Sequence, residues 1–154
     1  ISVCTLRPES RGEVRINSAD PSQAPTIIPN YLSTEGDQKI AVESIKVARK
    51  IAKASPLKKY IIDEFVPGKS YTSDEQLLEA AKNNSQSIYH PVGTCKMGHD
   101  DSSVVDDQLK VHGISGLRVV DASIMPELIS GNTNAPTMMI AEKAADMILD
   151  EKLL

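Results

Sequence analysis

Three short segments carry the side chains best suited to chemistry. The first is Tyr89-His90-Pro91-Val92-Gly93-Thr94-Cys95-Lys96-Met97-Gly98. Pro91 pushes the backbone of His90 toward an extended conformation, which makes a stiff mount for a side chain. An imidazole titrates near neutral pH and suits a general acid or base. A solitary His in a loop is also commonly a hydrogen-bonded structural residue, so this segment alone leaves both roles open. The second is Leu117-Arg118-Val119-Val120-Asp121-Ala122-Ser123, an expected strand ending in Asp-Ala-Ser. Ligands of open α/β sheets bind outside the carboxyl ends of strands, where Asp121 would reach a ribose-type hydroxyl. A turn-forming Asp bonded to nearby backbone explains it equally well. The third is Gly131-Asn132-Thr133-Asn134-Ala135-Pro136-Thr137, ahead of an expected helix. A helix N-terminus presents unpaired N–H groups and partial positive charge, which suits an anionic group. Asn134 either caps that helix or offers its amide to an alcohol oxygen.

Competing chemistry is weaker. Cys95-Lys96-Met97-Gly98-His99, with His90 nearby, lacks the paired Cys-x2-Cys spacing of structural zinc, so no metal is expected. Neither Ser123 nor Ser130 sits in a Gly-x-Ser-x-Gly elbow. His112 beside Gly113 reads as a turn residue, and Glu142, Lys143 and Asp146 as the solvated face of a helix.

These segments need elements to hold them. Ile1 to Leu6 reads as a strand, Pro8 to Gly12 as a turn, and Glu13-Val14-Arg15-Ile16-Asn17 as a second strand with Val14 and Ile16 on one face. The two would form a hairpin-type pair, followed by an extended arm through Asp20-Pro21 and Ala24-Pro25. From Asp37 to Ala54, apolar residues at Ile40, Val42, Ile45, Val47, Ala48, Ile51 and Ala52 predict a helix stopped by Ser55-Pro56. Ser73-Asp74-Glu75-Gln76 predicts a capping box and a shorter helix carrying Leu77, Leu78 and Ala81 inward. Residues 85–103 read as loop. Val104-Val105, Leu109 to Val111 and Leu117 to Val120 read as short β segments. A last helix runs from about Thr137 to Leu149, burying Met138, Met139, Ala141, Ala145, Ile148 and Leu149.

Composition narrows the partners. With 40% hydrophobic and 3% aromatic residues, no Trp and one Phe, the core must consist mainly of Ile, Val, Leu, Met and Ala. A net charge of −4 gives no basic footprint for nucleic acid. Lys and Arg are dispersed, and even the densest patch, Lys53 to Lys59, holds only three Lys, which argues against an anionic membrane surface. No apolar run approaches the roughly 20 residues that span a bilayer. The chain starts without Met in mid-pattern, as a piece of a longer chain would, and its first residues do not read as a signal peptide. Cys4 and Cys95 suggest no disulfide framework. Asn83-Asn84-Ser85 fits a glycosylation acceptor, but nothing else implies secretion.

Together the three segments resemble the C-terminal signature of the GMC (glucose–methanol–choline) oxidoreductases, most nearly their choline-dehydrogenase-like branch. Val105-Asp106, Leu109-Lys110-Val111-His112-Gly113 and the run from Gly131 to Asp146 extend the likeness. Upstream, Pro8-Glu9-Ser10-Arg11-Gly12-Glu13-Val14, Asp20-Pro21 and Pro29-Asn30-Tyr31-Leu32 stand in the family's order. The resemblance implies an α+β fold: an antiparallel-sheet substrate domain with helices, residues 1–100, and the C-terminal strand and helix portion of a Rossmann-like FAD domain, residues 101–154.

By the same resemblance, the activity is oxidation of a CH–OH group by hydride transfer to FAD N5. His90 matches the catalytic His that handles the hydroxyl proton. Asn134 matches the second active-site residue. Asp121 and Ala122 match positions near the ribityl–pyrophosphate part of FAD, and Asn134, Ala135, Pro136 and Thr137 match backbone at the flavin pyrimidine edge. Removing the hydroxyl proton makes the carbon a better hydride donor. A helix N-terminus at Thr137 would stabilise the charge gathered at N1 and O2 of the reduced ring.

The chain departs from the pattern in one respect: no Gly-x-Gly-x-x-Gly stands after a strand. The resemblance therefore implies a partner, the N-terminal FAD-binding half, without which the piece is expected to hold no FAD and to be inactive. An apolar face left by that half would make the piece self-associate, or leave the region after residue 101 disordered. The expected substrate is a small alcohol, and the expected setting is cytoplasmic, with a membrane reached only through the electron acceptor. A cyanohydrin lyase on the same fold, or a binding module without chemistry, are the alternative readings.

Overall fold

The computed structural model describes residues 1–151. The chain forms two compact units, residues 1–87 and residues from 88 onward. In the first, β1 (Glu13–Arg15) pairs antiparallel with β2 (Thr26–Ile28), Val14 opposite Ile27. Then come α1 (Glu35–Ala52), α2 (Ser55–Lys58) and α3 (Asp74–Asn84). The second unit holds a 3-10 turn at Ala122–Ile124 and α4 (Asn134–Glu151). The expected α+β content is thus present as helices and a two-stranded antiparallel sheet.

Several elements differ from expectation. Ile1 to Leu6 is not a strand, because β1 takes its ladder partner from Thr26–Ile28 downstream. Gly12 shows why the chain crosses there: a Cβ at this position would lie 2.2 Å from the Ile28 carbonyl oxygen, so only glycine permits the approach. Ile16 lies outside β1 and is exposed. The three short β segments after residue 100 reduce to isolated bridges, Met97 with Val105, Val105 with Val111 and Lys110 with Arg118. Each segment meets a turn or bend after two to four residues, too soon for a ladder.

Helix α1 starts at Glu35 because Thr34 caps it, its side chain accepting from the Asp37 amide at 3.2 Å. It ends at Ala52. Ser55-Pro56 does not stop it but opens α2, since proline fits the first turn of a helix. The apolar residues of α1 occupy two faces: Val42 is buried, while Ile40, Val47 and Ile51 on the other face are exposed. Helix α3 packs on α1 and contributes Leu77, Ala80 and Ala81 to the core of this unit. Its capping box forms as the sequence predicts, with Gln76 N donating to Ser73 Oγ and Ser73 N donating to Gln76 Oε1 at 3.1 Å.

Two polar hubs tie this unit together. Asp37, 2% exposed, accepts from Glu9 N at 2.9 Å and Ser10 N at 2.8 Å, and also from the Ser10 hydroxyl. Burial opposes ionisation of this carboxyl, but the hydrogen bonds from Ser10, Glu9 and Thr34 outweigh it and hold the group below the usual carboxylate range. Arg49 forms a forked pair with Glu64, Nη2 to Oε1 at 2.7 Å and Nε to Oε2 at 2.9 Å. It also donates to the carbonyls of Gly68 and Tyr71, at 3.1 and 2.8 Å. A single side chain on α1 therefore fastens the whole 64–71 loop. Arg49→Met should cost roughly 1–3 kcal/mol, since charge-assisted hydrogen bonds are lost together. Limited proteolysis should show faster cleavage near Phe65 and Lys69; an unchanged cleavage pattern would mean the loop is held by other contacts.

In the second unit Val105, Leu109, Ile124, Met125, Ile140 and Ala144 form the core. The buried side of α4 is therefore Ile140 and Ala144, with Ile148 half-buried, and not the face that includes Met138, Met139, Ala141, Ala145 and Leu149, all of them exposed. The expected set mixed two helix faces. The observed pair, four positions apart, follows the helical repeat that meets Ile124 and Met125. Near the end of α4, Glu151 pairs with Arg118 at 2.7 Å and with Lys110. Among the described residues no helix is long and apolar enough to cross a membrane, and no group of His, Cys, Asp and Glu is arranged to hold a metal.

Candidate active site at the start of the last helix

All three chemistry-bearing segments lie in the second unit, and the backbone brings them together. Cys95 N donates to Ser123 O at 3.0 Å and Met97 N to Ile124 O at 2.8 Å, so the His90 loop is stitched to the turn that follows Asp121. Gly93, at φ +88°, supplies the left-handed bend between Pro91 and that stitched stretch. Tyr89 also adopts a left-handed backbone, φ 63°, directly before His90. A bulky residue in that region is uncommon and persists only where surrounding structure compels it.

His90 itself is half-buried, and its Nδ1 lies 3.0 Å from Thr133 Oγ1. Thr133 is 8% exposed and occupies the position just before α4. Its carbonyl accepts from both the amide and the hydroxyl of Thr137, at 3.0 and 2.7 Å. The imidazole is thereby held at the opening of α4 by Thr133, whose sequence neighbours Asn132 and Asn134 are both exposed. Thr133 stands inside the third motif, where the sequence alone gives it no role. A signal was available: the residue three positions into the helix is Pro136, which has no N–H for a capping threonine to accept from.

The other expected residues have distinct surroundings. Asp121 is exposed and its Oδ1 accepts from Ser123 N at 2.7 Å, capping the 3-10 turn. Ala122 is half-buried in that turn, against the core. Helix α4 begins at Asn134, three residues before the expected start. The Thr137 amide is already committed to the helix, and Pro136 has no N–H. Helix geometry then leaves the Asn134 and Ala135 amides without intrahelical acceptors, the donor set that an anionic or carbonyl-bearing group would use.

Comparison with known proteins decides the lineage. Residues 8–141 match the family profile described as GMC oxidoreductase. The chain belongs to the GMC oxidoreductase family. It is 49% identical over 149 residues to an alcohol dehydrogenase [acceptor] of Pseudomonas putida, covering 97% of this chain and 27% of that protein. It is also 49% identical over 152 residues to an oxygen-dependent choline dehydrogenase of Escherichia coli, covering 99% of this chain and 27% of the relative. Among solved structures, an FAD-dependent oxidoreductase from Chaetomium thermophilum superposes with a TM-score of 0.90 at 32% identity, over 97% of this chain and 26% of that one. The chain therefore spans about a quarter of the length of the GMC relatives it matches. Both relatives are named as dehydrogenases, and the profile match runs from Pro8 into α4.

Proposed function

We propose that this chain is the part of a flavin-dependent alcohol dehydrogenase or oxidase that supplies the acid/base group for substrate oxidation. The observation that carries the reading is the fixed imidazole: His90 held by Thr133 at the opening of a helix whose first amides have no partner in the helix. Membership of a family whose matched relatives are named alcohol and choline dehydrogenases supports the same reading. FAD, when bound, supplies the acceptor for the hydride.

The chain's own residues do the rest. His90 removes the hydroxyl proton of the alcohol at Nε2, the ring nitrogen that Thr133 leaves open, and so raises the donor strength of the adjoining C–H bond. Asn134 donates its side-chain amide to the alcohol oxygen and orients it without competing for the proton. The Asn134 and Ala135 amides, with the dipole of α4 behind them, suit the carbonyl edge of the cofactor ring. Asp121 and Ala122, with Pro136 and Thr137 shaping the turn, complete the surface offered to the cofactor. We assign residues 1–100 to a substrate domain and residues 101–154 to the cofactor domain; residues 152–154 lie outside those described. The His90 loop lies within the second compact unit, in the same unit as the helix it is proposed to serve. The remaining partner is the longer protein's cofactor-binding half.

The test is anaerobic addition of primary alcohols, choline among them, to the full-length holoprotein. Bleaching of the oxidised-flavin band is expected. An unchanged band together with cleavage of a cyanohydrin would overturn the reading in favour of a lyase. Asn134→Ala should raise KM and lower kcat together; if Asn132→Ala does so instead, the orienting amide is the one on the other side of Thr133.

A further inference from the structure

We propose that Thr133 is a positioning residue that sets the tautomer of His90: its hydroxyl oxygen accepts from Nδ1–H and so leaves the lone pair of Nε2 free for the substrate proton. The inference rests on the reading of His90 as the acid/base group and deepens it.

The argument begins at the helix start. A threonine before the first residue of a helix ordinarily uses its hydroxyl oxygen to accept from the amide of the third helical residue. In α1 this happens, Thr34 accepting from the amide of Asp37. In α4 the equivalent residue is Pro136, so that donor does not exist. The Thr133 hydroxyl oxygen lacks that donor while almost buried, 8% exposed, where an unmet hydrogen-bonding atom is costly. His90 Nδ1, 3.0 Å away, is its partner, reached across 43 positions of sequence. A neutral imidazole carries one N–H, and the nitrogen that bears it is set by the bond the other atom makes. Fixing the proton at Nδ1 makes Nε2 the acceptor, the state a base needs before it meets an alcohol. The same bond survives when the ring takes up a second proton, because Nδ1 remains a donor in the imidazolium. Thr133 thus serves the ring in both halves of the proton transfer without changing its own position.

The experiment uses full-length holoprotein labelled with 15N-histidine, as wild type, Thr133→Ser and Thr133→Val. In the wild type the His90 shifts should report the proton on Nδ1 above the imidazole titration. Thr133→Ser, which keeps the hydroxyl, should preserve that tautomer and kcat. Thr133→Val, near in shape but without the acceptor, should move population to the Nε2–H form and lower kcat roughly tenfold, the worth of about one hydrogen bond, with KM and FAD content little changed. A wild-type Nε2–H tautomer overturns the proposal. So does a Thr133→Val protein with unaltered tautomer, or one whose tautomer shifts while kcat does not. Failure of the acid/base reading is distinguishable: it would show as retained turnover in His90→Ala, while the 15N shifts of the intact ring still report whether Thr133 holds it.

Discussion

His90→Ala in the full-length holoprotein is expected to lower kcat by roughly 10²–10⁴, the range for losing a positioned general acid or base. FAD content should change little. The contact that His90 makes is to the Thr133 hydroxyl, and helix α4 keeps its first backbone bond, Thr137 N to Thr133 O, without the imidazole. The buried Thr133 hydroxyl loses its partner, so a loss of roughly 1 kcal/mol in stability should accompany the catalytic loss. That is too little to unfold an enzyme, and the two effects separate cleanly. Steady-state kinetics with flavin content measured on the same sample checks the result. Turnover close to wild type would remove His90 from the proton transfer and with it the central role proposed for this loop.

Asp37→Ala should be the most damaging substitution in the first unit. Three donors converge on that carboxylate from the segment Glu9–Ser10, and Asp37 is 2% exposed. Alanine leaves them without an acceptor, at a cost of roughly 2–4 kcal/mol when partial access of water to the part-buried donors is allowed for. Asp37→Asn keeps one acceptor oxygen and should fall between. The pH dependence has a definite sign. The folded-state carboxyl is held below its ordinary range, so its contribution is fully present above the unfolded value of about 3.9. It is lost as pH falls through the lowered folded value. The stability gap between wild type and Asp37→Asn should therefore be flat near neutrality and close in acid. Urea unfolding at several pH values measures this; a gap that widens on acidification would mean the carboxyl is protonated in the fold.

How the chain divides between what local rules dictate and what its path through space decides is clearest at its helix starts. Ser73 and Gln76 lie three positions apart, and their two reciprocal bonds form as the spacing requires. The last helix, the loop that carries His90 and the order of family motifs were legible in the same way, because each depends on neighbours a few residues away. Thr34 and Asp37 are equally close, yet the Asp37 carboxylate turns away from its own helix to residues 27 and 28 positions upstream. The buried face of α4 is not fixed by local pattern, for a related reason. Met138 and Met139 are as apolar as Ile140, and only the position of Ile124 and Met125 selects which of them is covered. The partner of β1 is likewise set from a distance, since a three-residue strand has no preference until Thr26–Ile28 arrives beside it. Residue types and short spacings determined which groups were available, His90 and the asparagines among them. The bond from Thr133 to His90 needed the tertiary structure, because a proline that removes a donor says only that a hydroxyl is released, and the folded path of the chain says what it meets.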